Sequence, residues 1–371
     1  MDLTLTPEQE LIRRSAREFA DREIAPHARD WDRAEAMDRA IVGKLAGVGF
    51  LAGWELDTLS YCLVMEELGR ADSSVRGIVS VNVGLVGKTI GRWGTDEQRQ
   101  EWLPRLGSGE ALGCYALTEP GAGSDPSSIA TRAERDGDGW TISGSKVFIT
   151  LGTWAALALV FAQTSDGITC FLVPTGSDGF SAKQIKGKLG LRAQDTGELT
   201  LDGVRVPGDA VLGEVGGGLK VAFSALDNGR ISLAAGCVGI AQGCLDASLA
   251  YARERQQFGR RIASFQLVQE LLAEIALETE AARLLTWKAA LAADAGARHT
   301  LESSGAKLYA SEAAVRAANA AVQVHGGYGY VDEYPVGKYL RDARVTTLYE
   351  GTSQIQKLII GRALTGENAF A

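Results

Sequence analysis

The pattern of apolar and polar positions divides the chain into three stretches. Over residues 1 to about 112, apolar residues recur at helical spacing, in "TPEQELIRRSAREFADREI" after a Thr-Pro start and again in "LDTLSYCLVMEELGRA". From about 113 to 213 the period changes. "GWTISGSKVFIT", "LALVFAQT", "ITCFLVP" and "GELTLDGVRVP" are short β-rich runs set apart by Gly, Asp and Pro turn signals. From about 216, long Ala- and Leu-rich segments return to helical spacing. The chain therefore reads as mainly α with a central antiparallel β domain, bounded at 1–112, 113–215 and 216–371. It has no internal repeat and no low-complexity linker.

Composition narrows the class. With 371 residues, 46% hydrophobic and 23% charged, the chain has material for a sizeable core in two or three domains. The net charge of −8 is spread along the sequence with no long run of one sign, which argues against a nucleic-acid partner. "MDLTLTPEQE" has neither a basic segment nor an apolar h-region, so no signal peptide is expected. "WAALALVFA" falls well short of the ~20 residues that span a bilayer, and no membrane association is expected. Cys62, Cys114, Cys170, Cys237 and Cys244 sit among small or apolar neighbours, the pattern of reduced thiols in a cytoplasmic protein. His27, His299 and His325 lie far apart and support no metal site.

Several motifs carry no chemistry. "VNVGLVGKT" (81–89) ends like a phosphate loop, but Asn82 stands where the first glycine belongs and the surroundings are helical, so a packed helix is expected. "GGG" at 216–218 lacks the strand-and-helix unit of a dinucleotide fold, and no G-x-S-x-G occurs. "CYALTEPGAGSD" (114–125) is more informative. It begins as a strand and bends through Pro120, Gly121 and Gly123, exposing backbone N–H groups and the Thr118 and Ser124 hydroxyls. Such a loop can approach a flat polar ring or a phosphate closely, although a plain Gly-Pro turn has the same composition.

The segment from Leu219 to about Gln256 reads as one helix, on which Asp227 and Arg230 share a face. At ~1.5 Å per residue, Arg230 and Arg255 are then about 38 Å apart, too far for one compact site. Arg255 is either a surface charge or a contact to a neighbouring subunit. Gly229, Gly236, Gly239 and Gly243 either bend this helix or mark close packing. "YEGTSQIQ" (349–356) sets Glu350 and Gly351 just before a helix that Thr352 and Ser353 are suited to cap. On these eight residues alone, Glu350 reads either as a complement to the helix dipole or as a catalytic base.

"YALTEPGAGSD", "KVFIT", "LDNGR", "RERQQFG", "QVHGGYGY" and "YEGTSQIQ" occur in the order and spacing of the acyl-CoA dehydrogenases. The chain resembles that family over nearly its whole length, and most of all the short-chain (butyryl-type) branch and its bacterial relatives. The resemblance implies a helical N-terminal domain, a middle β-barrel-like domain and a C-terminal four-helix bundle. It also implies one FAD per subunit and a homotetramer built as a dimer of dimers. Tyr115, Leu117, Thr118, Gly123 and Ser124 would line the flavin, and Phe148, Ile149 and Thr150 would cover its other side. Arg255, Phe258, Gln266, Gln323, Gly326 and Gly327 would hold the pyrophosphate and adenine of the partner subunit's FAD. Thr352 and Gln354 would touch the flavin of their own subunit. Ser124, Asp227, Arg230, Tyr349 and Gly351 fall at substrate positions. Glu350 aligns with the base that takes the pro-R α-proton as the β-hydride passes to flavin N5, leaving a trans-2-enoyl thioester. The family's usual electron acceptor is an electron-transfer flavoprotein.

The sequence also departs from that pattern. The "P-E-x-x-G-G-x-G" loop common after a segment like "GVGFLA" is absent, leaving "GVGFLAGWELDTLSYC" about ten residues short. Collapse of the shortened wall predicts a short acyl group of about four to six carbons. Leu151 replaces the Asn usual after "FIT". His325 stands where Leu is common and is expected to pack beside the cofactor's adenine end. Residue 228 is Asn, which excludes the branch whose base lies near that position. Two other readings are a dehydrogenase for an acyl group on a carrier protein and a flavin-fold scaffold without chemistry.

Overall fold

The computed structural model describes residues 3–369. Helix α1 (Pro7–Glu23) starts as its sequence dictates: the Thr6 hydroxyl accepts the Gln9 N–H, the Gln9 side chain accepts the Thr6 N–H, and Pro7 takes the first helical position. Helices α2 (Ala28–Ala34), α3 (Ala40–Gly47), α4 (Thr58–Ala71) and α5 (Ser73–Val79) follow. Residues Leu59 to Gly69 of α4 are all buried, because the helix lies between α1 and the C-terminal helices. The stretch that resembles a phosphate loop is a packed helix. Ser80–Gly87 is a buried π-helical segment that runs into α6 (Lys88–Trp93), and α7 (Asp96–Gly107) completes this part.

The middle of the chain forms a curled sheet of β1 (Gly113–Ala116), β2 (Arg132–Asp136), β3 (Gly139–Thr150), β4 (Leu157–Thr164), β5 (Gly167–Pro174), β6 (Phe180–Gln184) and β7 (Thr196–Val206). The order is β1-β4-β2-β3-β7-β6, with β5 paired to β4. An all-antiparallel unit is not what forms. β1 runs parallel to β4, and β2 meets β4 in parallel through Arg132 and Gln163. The cause is the connection: a loop and the β2–β3 hairpin intervene between β1 and β4, so the chain re-enters in the direction in which it left. Leu157 to Ala162 are fully buried, so β4 reads as a continuous apolar run rather than an alternating one.

The last part is built on α8 (Gly218–Glu254), an unbroken 37-residue helix that contacts α4, α9 (Gln266–Asp294) and α10 (Thr300–His325). Helices α11 (Val336–Thr346) and α12 (Ser353–Thr365) pack across α10. The glycines of α8 mark close approaches, not bends. A Cβ on Gly239 would run into the Glu66 carbonyl, and one on Gly236 into the Arg76 side chain. By length and composition α8 could cross a bilayer, but 67% of its apolar window is buried by the rest of the chain. It is the core helix.

Candidate functional site

Glu350 lies in the short link between α11 and α12, in a left-handed conformation with φ of 55°, followed by Gly351 at 91°. A glutamate held there is strained, and such strain concentrates at functional positions. The surroundings fix it. Arg230 Nε donates to the Glu350 carbonyl at 3.3 Å, and Gln356 Nε2 donates to the Glu350 and Gly351 carbonyls, each at 3.1 Å. Lys307 Nζ donates to the Gly351 carbonyl at 2.7 Å. The cap of α12 is Thr352, whose hydroxyl accepts the Ile355 N–H at 3.3 Å. The Glu350 carboxylate therefore takes no part in capping.

That carboxylate points at α8. A Cβ built on Gly229 would stand 2.5 Å from Glu350 Oε2 and 2.9 Å from Leu85 Cδ2, so only a glycine leaves it room. Oε2 is closed off from solvent and has no hydrogen-bond partner. Burial raises the carboxyl pKa above its ordinary value, opposed by the charges of Arg76, Lys307 and Arg230. Burial in turn lowers Lys307 to about 8. Arg230 pairs with Asp227 at 2.8 Å, and Asp227 accepts the Thr300 hydroxyl at 2.8 Å. Tyr349 Oη accepts from Arg76 Nη2 at 2.9 Å. The fold thus gathers Asp227, Arg230, Tyr349, Glu350 and Gly351. It adds Arg76, Lys307 and Gly229, which the motifs passed over.

The 114–125 loop leaves β1 near the start of α8, where the Tyr115 hydroxyl donates to the Ala222 carbonyl at 3.3 Å. Its shape depends on a buried ion pair. Lys146 Nζ, with no solvent exposure, donates to Glu119 Oε1 at 2.7 Å and to the Leu117 and Phe161 carbonyls. Glu119 also accepts the Ala130 and Thr131 N–H groups. Around this anchor, Gly121, Gly123 and Ser124 face open space, Leu117 is buried, and the Thr118 carbonyl accepts the Val147 N–H. The β3 bulge then holds Phe148 at φ 59° with 68% exposure, while the Ile149 side chain turns into the core and Thr150 Oγ1 accepts from Gln194.

At the far end of α8 a separate open cavity of about 690 Å³ is lined by Tyr251, Arg255, Gln323, His325, Gly326 and Gly327, among others. Arg255 sits 5.4 Å over the Tyr328 ring. His325 is buried, stacks on Tyr251 at 4.4 Å and bonds the Ala321 carbonyl through Nδ1. Phe258, 93% exposed, is presented at the tip of the hairpin β8 (Gln256–Gln257) and β9 (Arg260–Arg261). Gln266 opens α9 and is exposed, as are Phe258 and Gln354. Arg255, Gln323, Gly326 and Gly327 are therefore grouped away from Glu350. Among the described residues, no cluster of three His, Cys, Asp or Glu side chains could hold a metal.

A curled β domain between two helical parts, with a desolvated carboxylate where they meet, is an architecture suited to an oxidoreductase that takes a large cofactor. Models for the acyl-CoA dehydrogenase N-terminal, middle and C-terminal domains match residues 6–110, 114–204 and 216–365. The chain belongs to the acyl-CoA dehydrogenase family, whose members are FAD-dependent and act on CH–CH groups. It is 42% identical to the mitochondrial short-chain specific acyl-CoA dehydrogenase of Bos taurus, over 95% of this chain and 88% of the relative. Butyryl-CoA dehydrogenase from Megasphaera elsdenii superposes with a TM-score of 0.96 at 37% identity, over 98% of this chain and 100% of that one. A glutaryl-CoA dehydrogenase from Mycobacterium smegmatis in complex with FADH2 superposes at 0.95 and 35% identity, over 99% and 97%.

Proposed function

We propose that this dehydrogenase oxidises the α,β bond of a short acyl thioester, with Glu350 as the base. The observation that carries this reading is the sealed, unpartnered Glu350 Oε2, whose affinity for a proton is raised by burial. A carboxylate in water is too weak a base for the α-proton of a thioester, and removing its hydration raises its basicity. Glu350 takes the α-proton on its carboxylate while the double bond forms between the α and β carbons. FAD, when bound, would supply the two-electron oxidant for the β-hydrogen. The product is the trans-2-enoyl thioester.

Other residues of the chain orient the reactants. The Glu350 N–H, in a left-handed stretch of backbone, is a donor for the thioester oxygen as negative charge develops there. Tyr115, Leu117, Thr118, Gly123, Ser124, Phe148, Ile149, Thr150, Thr352 and Gln354 hold the flavin end. Arg255, Phe258, Gln266, Gln323, Gly326 and Gly327 hold the adenine end of a partner subunit's FAD in a tetramer. The openings at Gly121, Gly123, Gly326 and Gly327, where a Cβ would meet nothing, and the cavity beside Arg255 fit such a group. Asp227, Arg230, Ser124, Tyr349 and Gly351 face the thioester and its arm, on CoA or on a carrier protein. An electron-transfer flavoprotein in the cytoplasm then reoxidises the enzyme.

Short chain length rests on Trp54. In the shortened connection this indole lies on Gly87, and Tyr61 stands 3.0 Å from where a Gly53 Cβ would be. Tyr61 also lies against Gly84, whose neighbour Leu85 meets Gly229 beside the Glu350 carboxylate. The test is anaerobic mixing with acyl thioesters of four to sixteen carbons on both carriers. Short thioesters are expected to bleach the flavin fastest. Glu350→Gln should keep its FAD yet lose about 10⁴-fold or more in reduction rate, at the upper end of what one general base contributes. Near-normal reduction by Glu350→Gln would remove the base assignment.

A further inference from the structure

One wall beside Glu350 comes from the π-helical segment Ser80–Gly87, set between α5 and α6 and buried throughout. Such turns are rare, occur mostly as single insertions in α-helices, and are frequent at functional sites. An extra residue in a turn sets every later side chain back by about 100° against the preceding helix, at ~3.6 residues per turn. Leu85 lies late in this turn. Its Cδ2 stands 2.9 Å from where a Gly229 Cβ would be, and Glu350 Oε2 stands 2.5 Å from the same point. The methyl and the carboxylate oxygen therefore share one small space over the bare Gly229. Leu85 is buried, and Oε2 has neither solvent nor a hydrogen-bond partner. A plain α-helical continuation of α5 would aim Leu85 to another side.

A π turn is less favourable than the α-helix it interrupts, so contacts from outside must hold it. Asn82, fully buried, supplies two. Its Nδ2 donates to the Leu106 carbonyl near the end of α7 at 3.2 Å, and its Oδ1 accepts the N–H of Gly113, the first residue of β1, at 2.9 Å. Gly113 has no room for a side chain, because Val86 of the π segment would stand 2.5 Å from its Cβ. On the α8 side, Ser80 Oγ lies 3.3 Å from Ser232 Oγ. Thr89 Oγ1 donates to the Leu85 carbonyl at 2.6 Å. Strand β1 runs directly into the 114–125 loop, so one asparagine joins the wall of the base to the strand that carries that loop. The residue that breaks the phosphate-loop pattern is the fastening of this turn.

We propose that the π turn keeps the base dry: Leu85 covers the Glu350 carboxylate, and Asn82 fastens that cover to α7 and β1. Both are positioning residues that act through Glu350. The inference deepens the reading of Glu350 as the base and rests on it. Shortening Leu85 opens a space larger than one water needs, and the orphaned Oε2 gives that water a partner. Water bonded to the carboxylate stabilises its charged form, which weakens the base. The other titratable groups around it come from separate elements: Arg76 from α5, Tyr61 from α4, Tyr115 from β1, Arg230 and Cys237 from α8, Lys307 from α10, and Tyr349 from its own link. Shortening Leu85 removes none of them.

The test uses the FAD-loaded enzyme. Anaerobic flavin reduction by a four-carbon acyl-CoA gives kcat/KM from pH 5 to 9, and its rising limb reports the base in the free enzyme. Infrared difference spectra against Glu350→Gln follow protonation of the same carboxyl with no substrate present. Leu85→Ala is expected to move both titrations about one pH unit toward acid and to lower the alkaline plateau about 3- to 10-fold. Leu85→Met, which restores the bulk, is expected to restore the titration. Asn82→Leu, similar in size but unable to make either bond, should shift both titrations in the same direction with Leu85 unchanged. Coincident titrations for the parent and Leu85→Ala, whatever the rate, overturn the proposal and leave the base reading intact; Leu85 is then only a wall. An Asn82→Leu variant with full FAD that titrates like the parent overturns the fastening. Near-normal reduction by Glu350→Gln would overturn both readings. The Leu85 pair decides the question even where Asn82→Leu does not fold.

Discussion

At Glu350, burial and charge act against each other. Desolvation favours the protonated acid, the nearby Arg76, Lys307 and Arg230 favour the carboxylate, and burial prevails. The base works only when ionised, so the rate should climb with pH through a limb above the ordinary carboxylate range. Lys307→Met removes one favourable charge and should move that limb further toward alkaline pH. Reduction rates measured from pH 5 to 9 in both proteins check this, and coincident limbs would show that Lys307 serves only to hold the Gly351 carbonyl. The position of the carboxylate depends on Gly229. A methyl there would stand 2.5 Å from Oε2, and helix backbone on one side leaves the side chain as the part that must swing away. A displacement of about 1 Å costs on the order of 100-fold in rate. Gly229→Ala is therefore expected to reduce slowly with normal FAD content; unchanged kinetics would mean that the carboxylate has slack. Arg76 was hard to read from sequence for a related reason. In "DSSVRGIVSV" it is one charge in an apolar helical run, and what marks it, a buried N–H without a partner, exists only after folding.

Among the elements, those with a strong period were legible. Helices α1 and α4 and the unbroken α8 follow the spacing of their apolar residues, and the 38 Å estimate along α8 separated Arg255 from Arg230, as the fold does. The β segments were legible as strands but not in their pairing, because β1 and β4 meet in parallel only through a crossover that no local pattern encodes. The π-helical turn at Ser80–Gly87 was also invisible: its composition is that of any buried helix. The shortened connection after α3 was legible as a deletion, and its consequence takes shape as the short 3₁₀ segment Phe50–Glu55. Trp54 from this segment rests on Gly87 and within 3.2 Å of where a Gly107 Cβ would be. Replacing it by Ala should open the wall and move the optimum of a neutral acyl-CoA series upward by two or more carbons. Each added methylene is worth up to ~0.8 kcal/mol, so the shift is large enough to see in kcat/KM. An unmoved optimum would place the end of the pocket elsewhere.

At the scale of the whole molecule, one buried lysine joins all three parts. Lys338 on α11 lies 2.8 Å from Asp72, the N-cap of α5, and 2.6 Å from Asp342 one turn along its own helix. Asp342 also accepts the Leu191 N–H of the middle domain at 2.6 Å. Both aspartates are essentially without exposure, and burial raises the Asp342 pKa even with the ammonium beside it. Helix α11 runs directly into the link that carries Glu350, so this triad sets the base against the domains that face the substrate. Lys338→Met leaves two carboxylates buried without a cation, and breaking such a pair costs about 3–5 kcal/mol. The sign of its pH dependence follows from Asp342. With its folded pKa already above the unfolded value, its contribution is fully present below the unfolded value and is lost as pH rises through the folded one. Removing Lys338 raises that pKa further, so the variant should be least impaired in acid and increasingly destabilised toward pH 8. Adding Asp342→Asn should recover part of the loss, because the amide oxygen still accepts the Leu191 N–H while one buried charge disappears. Thermal unfolding of the three proteins at pH 6 and pH 8 decides it. A single variant within about 0.5 kcal/mol of the parent at both pH values would mean that the domains are joined by apolar packing alone, the size of effect expected of an ordinary surface change.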